Sequence, residues 1–268
     1  MIVLVAGAGG RLGRLVVTSL VARGHEVRAL VRTPAEVPAL ETLGATPVLA
    51  YLRGDVEWTV AGCDAAVFAA AARRRTELGR IDGAGAAKLA EAAHHFDLGR
   101  FVLCSAVGAA APALRGPLSD FLAAKRYAEE RVERLQLPWT ILRFGRLTDA
   151  PGGGRITTTV ANRPLWISRQ DAAATIVETM ARPQLVRRVV EVVAGDRRIS
   201  DALDAIEPAD LPRIRNSGLG AAQALDPPVD PDMLFADALP LDASVDYEGE
   251  GDLPPEEIGN DDPSPGVP

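Results

Sequence analysis

Cysteine is scarce in this chain: Cys63 and Cys104 are the two in 268 residues. They offer no disulfide framework and no metal-ligand spacing, and they fit a reducing compartment. Histidine is almost as rare, with three residues, two of them adjacent as His94 and His95. Neighbours on a helix point about 100° apart and no third ligand accompanies them, so a solvated helix end is a simpler reading than a metal site. No run of about 18 uninterrupted apolar residues occurs, which argues against a membrane-spanning helix. Met1 leads straight into an apolar strand pattern, with no basic segment and cleavage site before it, so the expectation is a cytoplasmic protein rather than a secreted one.

Acidic residues are thin in most of the chain and crowded at its end. Net formal charge is −7, yet residues 1–200 carry 27 Lys and Arg against 19 Asp and Glu, whereas residues 201–268 carry 2 against 17. The division is between a mildly basic domain, residues 1–206, and an acidic tail rich in Pro and Asp, residues 207–268. The tail cannot bury enough apolar surface to offset an ordering entropy of roughly 1–2 kcal/mol per residue. It is expected to be mostly disordered, with Met233, Leu234 and Phe235 as its one apolar cluster. An apolar content of 47% is ample for one α/β domain with a sizeable core.

Strand-like and helix-like segments alternate along the basic domain. Strand patterns fall at the amino terminus and at 26–31, 48–52, 65–70, 100–105, 139–144 and 189–193; helical patterns fall at 11–23, 84–94, 119–136 and 168–182. The alternation predicts an α/β fold class: a Rossmann-like doubly wound parallel sheet of about seven strands with helices on both faces. Ser168 and Asp171 have the spacing of a capping box, and Asp82 reads as the cap of an alanine-rich helix. In the long helix, basic residues alternate with Glu129, Glu130 and Glu133, the pattern of a salt-bridged outer face, which lends little support to nucleic-acid binding.

The opening segment, MIVLVAGAGGRLG, carries the chemistry. An apolar strand breaks into Gly7, Gly10 and Gly13 and continues as a helix, the entry to a dinucleotide-binding βαβ unit. One glycine permits the tight turn, one lets backbone N–H groups approach a pyrophosphate, and one lets helix pack on strand. Gly9, Arg11 and Leu12 complete the loop, and the anion sits on the positive end of the helix. About 20 positions further on, the residue ending the second strand chooses the cofactor, an acid bonding a ribose 2′-hydroxyl and an arginine accommodating a 2′-phosphate. That residue is Arg32, with no repelling carboxylate in view, so NADP(H) is favoured over NAD(H); an exposed arginine at a strand end is the other reading. Arg11 can add a second phosphate contact. Arg73, Arg74 and Arg75 form a loop at the expected cleft mouth, suited to an anionic substrate, to the acidic tail, or to solvent alone.

Taken together, these segments make the chain resemble the atypical short-chain dehydrogenase/reductases, in particular their NAD(P)H-binding, NmrA-like branch. The resemblance spans about residues 1–206. Beyond the glycine loop and Arg32 it rests on Ile81-Asp82-Gly83-Ala84-Gly85, the strand from Arg100 to Ser105 with Ala106-Val107-Gly108-Ala109 after it, Ala124-Lys125-Arg126-Tyr127-Ala128-Glu129, Leu142-Arg143-Phe144-Gly145-Arg146-Leu147-Thr148-Asp149 and Ile167-Ser168-Arg169-Gln170-Asp171-Ala172. It implies that Ala69, Ala70 and Ala71 line the adenosine side of a cofactor cleft, next to Tyr51 and Leu52. Tyr51 stands where relatives often carry an aspartate, so ring stacking replaces that contact.

Catalysis in this family uses a serine that polarises a carbonyl, a tyrosine that donates a proton, and a lysine four residues later that holds the nicotinamide ribose. Ser105 and Lys125 match the serine and the lysine; the tyrosine position is Phe121, whose ring has no proton to give. Tyr127 is no obvious replacement, since six helical residues place it roughly 120° off the Phe121 face. Phe144 and Arg146 replace a common proline and glycine near the substrate pocket. The resemblance thus implies an NADP(H)-dependent oxidoreductase acting on an unidentified small molecule, or a non-catalytic NADP(H)-binding sensor that signals through a protein partner or its tail. No nucleic-acid or membrane partner is expected, and the assembly is expected to be a monomer or homodimer.

Overall fold

The computed structural model describes residues 1–111, 118–160 and 165–206. The expected tail, residues 207–268 with Met233, Leu234 and Phe235, lies outside the described residues. In chain order the elements are β1 (Ile2–Ala6), α1 (Arg11–Ala22), β2 (Glu26–Val31), α2 (Val37–Thr42), β3 (Thr46–Leu49), β4 (Ala65–Phe68), α3 (Ala86–His95), β5 (Arg100–Ala106), α4 (Ser119–Glu133), β6 (Trp139–Phe144), β7 (Arg146–Thr148), β8 (Arg155–Thr157), β9 (Trp166–Ser168), α5 (Arg169–Met180), β10 (Arg188–Ala194), β11 (Arg197–Arg198) and α6 (Ile199–Asp204).

The main sheet runs β11-β8-β10-β6-β5-β4-β1-β2-β3. Seven of these strands, β10 through β3 in that order, are parallel and correspond to the strands expected from sequence. Antiparallel β8 and β11 extend one edge, and β7 pairs with β9 apart from the sheet. These pieces are two or three residues long, too short to carry a periodicity. The third strand also sits earlier than the sequence suggested, at Thr46–Leu49, which releases Tyr51 and Leu52 from the sheet. β1 is flanked by β2 and β4, so the strand order reverses there and a crevice opens at the carboxyl ends of those strands.

Parallel strands covered on both faces show no polar alternation; their alternation is between two cores. Val3 and Val5 of β1 join Val16, Val17 and Leu20 of α1 and Ile176 and Val177 of α5. Leu4 and Ala6, the residues between and beyond them, join Leu89, Ala90 and Ala93 of α3 and Ala128 and Val132 of α4. All four β1 residues are fully buried, and each large aliphatic side chain so buried contributes roughly 1.5–3 kcal/mol. Arg100, at the start of β5, is buried as well. Its Nη2 donates to the carbonyls of Thr179 (2.6 Å) and Arg182 (2.7 Å), tying the sheet to the end of α5, and burial lowers its pKa to about 10.

Two glycines set the passage from β1 to α1. Gly7 has φ +84°, and a Cβ there would lie 2.5 Å from Ala70 Cα. At Gly13 a Cβ would lie 2.0 Å from the Gly7 carbonyl oxygen, a distance no small adjustment relieves. Gly13→Ala is therefore expected to cost roughly 3 kcal/mol, the upper end of the overpacking range, seen as a lower denaturant midpoint at unchanged slope.

Candidate functional site

At the carboxyl ends of β1, β2 and β4 lies a cleft of about 790 Å³. The glycine loop contributes Gly7, Gly9, Gly10, Arg11 and Leu12; the end of β2 contributes Arg32; the segment after β3 contributes Tyr51 and Leu52; the segment after β4 contributes Ala69, Ala70 and Ala71. Gly13 does not line this cleft; it lies beneath the loop, where it sets the closeness of α1 to β1. Gly10 is the N-cap of α1, exposed and without a side-chain cap. The first-turn amides of α1 are thus left to a ligand, and the bare loop makes a cradle for an anion. These residues fit a dinucleotide phosphate.

Sequence reasoning missed the charges that surround this cradle. Glu36 lines the cleft; its Oε2 accepts from the Arg32 backbone N–H (3.2 Å), and its Oε1 lies 3.8 Å from Arg73 Nη2. The expectation that no carboxylate stands near Arg32 is corrected by this contact. The signal was present: Thr33-Pro34-Ala35-Glu36 has the spacing of a capping box, and its short helical turn, with Thr33 as N-cap, swings the glutamate back toward β2. On the other side of the glycine loop, Asp149 pairs with both Arg11 and Arg169, each at 2.5 Å. Farther along the mouth, Arg75 pairs with Asp120 at 2.8 Å.

Ser105 and Lys125 do not line the cleft. Lys125 is buried, with its ammonium 2.9 Å from Asp82 Oδ1 and donating to the Cys104 carbonyl at 3.2 Å. The Phe121 ring lies beneath it, 5.5 Å from ammonium to centroid. Asp82 is fully buried in a π-helical segment, Gly79–Gly85, and accepts from the Ala72 backbone N–H at 2.8 Å. The reading of Asp82 as a helix cap is corrected: its carboxylate ties the loop after β4, which lines the cleft, to a lysine of α4. Tyr127 is half exposed, with its ring edge over Gly83 of the π-helical segment, 3.4 Å from where a Cβ there would stand.

A second buried network runs across three strands. Parallel register places Ser105 of β5, Arg143 of β6 and Glu191 of β10 in one row. Glu129 of α4, 3% exposed, reaches down to it, accepting from Ser105 Oγ at 2.5 Å and from Arg143 Nη2 at 2.6 Å. Glu129 is therefore no part of an outer ionic face, as the sequence suggested; it meets an arginine that the sheet conceals from helical periodicity. Burial works against the Arg143 charge, but the hydrogen bonds and charge of Glu129, with Glu191 and Glu133 adding, hold its pKa above the usual arginine value. Burial, and then repulsion by Glu129, push Glu133 up to about 7. Burial likewise raises Glu191, against the pull of Arg143. Cys104, beside this row, is pushed up to about 12 by burial, the state of an inert packed thiol.

Other singled-out residues fall elsewhere. His95 lies 3.5 Å from Glu57 at the end of α3. Ser168 caps α5, accepting from the Asp171 backbone N–H at 3.0 Å, while the Asp171 carboxylate takes the N–H groups of Gly153 and Gly154. Among the described residues, no helix is long and apolar enough to cross a membrane, and no cluster of three His, Cys, Asp or Glu is placed to hold a metal.

Comparison with known proteins agrees with this geometry. A family of NAD(P)H-binding proteins matches residues 7–183. A Bacillus subtilis protein described as an uncharacterized sugar epimerase is 33% identical over 211 residues, covering 76% of this chain and 99% of its own. A Bacillus halodurans structure described as an NAD-dependent epimerase/dehydratase superposes with a TM-score of 0.73 at 31% identity, over 77% of this chain and all of that one. The Lactococcus lactis oxidoreductase ylbE shares the fold, with a TM-score of 0.69 at 24% identity over 77% of this chain and 96% of its own.

Two variants test the buried charges. Asp82→Asn strands the Lys125 ammonium in the interior and is expected to destabilise the protein by roughly 3–5 kcal/mol, with much of the loss recovered in Asp82→Asn/Lys125→Met; denaturant unfolding of the single and double variants measures both. The native state holds a proton on Glu133 that the unfolded chain loses above its ordinary pKa of 4.5. This contribution to stability is full below that value and fades as pH rises through about 7. Thermal melting is thus expected to fall between pH 5 and pH 8, and to fall less in Glu133→Gln.

Proposed function

Because the chain belongs to the NAD(P)H-binding family of Rossmann-fold proteins, we propose that it is an oxidoreductase of the atypical short-chain type that binds NADP(H) in preference to NAD(H). The observation that carries this reading is a single cleft lined by the glycine loop, Arg32 and the Ala69 to Ala71 segment. The bare N-terminus of α1 would take the pyrophosphate. Arg32, with Arg73 near it, would meet a 2′-phosphate through the planar, multiply donating guanidinium that suits such an anion. Tyr51, exposed at the cleft wall, offers a ring face to the adenine.

When bound, the nicotinamide exchanges a hydride with a substrate carbon. The chain's part is to orient that substrate, keep water out and handle a proton. Ser105 is proposed to orient the acceptor group by turning its hydroxyl toward the substrate from its resting partner Glu129, the carboxylate that Arg143 holds. Lys125 is a positioning residue, since its ammonium reaches the cleft through Asp82 and the Ala72 N–H. The substrate is an unidentified small molecule.

One observation favours a second reading, a cofactor-binding sensor without turnover. Phe121 has no proton to give, and the lysine beside it is held by an interior carboxylate rather than presented to a ribose. Calorimetric titration of NADPH and NADH, followed by hydride-transfer assays over a panel of carbonyl compounds, separates the two. NADPH is expected to bind more tightly than NADH, and Arg32→Ala is expected to weaken NADPH about tenfold or more, the loss of one charge-assisted phosphate contact, while leaving NADH little changed. Binding without transfer to any acceptor favours the sensor; failure to bind either nucleotide removes both readings.

A further inference from the structure

We propose that Glu36 sets the balance between the two nicotinamide cofactors by standing in for the 2′-phosphate: its carboxylate occupies the anion position that NADP(H) needs and that NAD(H) leaves to it. The proposal rests on the reading of the cleft as a nicotinamide-nucleotide site.

Three contacts place the carboxylate there. Oε2 takes the backbone N–H of Arg32, the residue at the end of β2. Oε1 is the closest atom to the bare side of Gly9, 2.6 Å from where a Cβ would stand. The same oxygen lies 3.8 Å from the Arg73 guanidinium, which comes from the loop after β4. Glu36 therefore bridges the glycine loop, the end of β2 and the far wall of the cleft. In this architecture the 2′ position of an adenosine ribose falls between the glycine loop and the end of β2.

The two cofactors meet this carboxylate with opposite chemistry. A 2′-hydroxyl is a hydrogen-bond donor and can use Glu36 as its acceptor where it stands. A 2′-phosphate brings close to two negative charges near neutral pH and only acceptor oxygens, so it is repelled by Glu36 and competes with it for the Arg32 amide and for Arg73. To admit NADP(H), the Glu36 side chain must swing away and release both groups to the phosphate. It closes a short turn, Pro34–Glu36, whose first two residues are exposed and which lies outside the sheet, so the half-buried side chain can move without disturbing the strands. Arg32 and Arg73 thus supply the preference for the phosphorylated cofactor, and Glu36 limits how strong it becomes.

The test is the ratio of NADPH to NADH dissociation constants, measured by calorimetry on the full chain. Glu36→Gln keeps an acceptor for the Arg32 amide and removes the charge. It is expected to tighten NADPH about tenfold, the scale of one unit charge near a solvated phosphate, while NADH is unchanged or weaker. Arg73→Ala removes the cation that shares Glu36 and is expected to weaken NADPH several-fold more than NADH. A ratio within a factor of about two of wild type in Glu36→Gln overturns the role of Glu36, whatever Arg73→Ala does, and leaves the cofactor site standing. A wild-type protein that binds neither nucleotide overturns the reading beneath it, and the proposal with it.

Discussion

The absence of two β-carbons governs this molecule. Between β1 and α1 the chain reverses over a handful of residues, and it can do so because nothing projects from Gly13 toward the Gly7 carbonyl or from Gly7 toward Ala70. Any side chain at either position would lift the helix from the sheet or part β1 from the loop after β4. The cleft inherits its shape from that closeness. The amides of α1 emerge at its floor, the β2 terminus stands on one side, and the alanine segment after β4 forms the other wall with no bulk to spare.

Charge around that cleft is arranged sparingly, since Arg11, Arg73 and Arg169 are already engaged by carboxylates of the same chain. Asp149 holds Arg11 and Arg169, and Glu36 faces the Arg73 guanidinium while taking only the backbone N–H of Arg32. Behind the wall, Asp82 and Lys125 form a dry pair whose other function is to hold the Ala72 amide. Anion binding at such a place is an exchange of partners and not the filling of a vacant positive field. The surface pairs contribute little to stability, so they can open for a ligand; the interior pair cannot open without leaving a buried charge uncompensated.

Much of the architecture was legible because it repeats. Seven strand patterns separated by helical ones gave the parallel sheet, and the glycine loop gave the cleft floor. What escaped was of two kinds. β8 and β11 are too short for any pattern; β8 exists because the edge of β10 offers unpaired backbone groups, and β11 because β8 in turn offers its own. The buried network of Ser105, Arg143, Glu129 and Glu191 was hidden by register: three residues far apart in sequence fall in one row only once the strands are aligned. Glu129 looked like a solvated helix residue because helical periodicity cannot say which face a sheet will cover. Glu36 was within reach of sequence reasoning through its capping-box spacing, but cofactor choice was weighed at the strand end alone.

The hold of Arg100 on α5 has an implication for how this fold tolerates divergence. Its acceptors are the carbonyls of Thr179 and Arg182, and every amino acid supplies a carbonyl. Replacements at positions 179 and 182 leave the tether intact so long as the helix ends in the same place, whereas losing the guanidinium severs it at once. The anchor is thus encoded at one codon rather than at a matched pair, and what constrains positions 179 and 182 is the burial of Thr179 and the ion pairs of Arg182, not the tether.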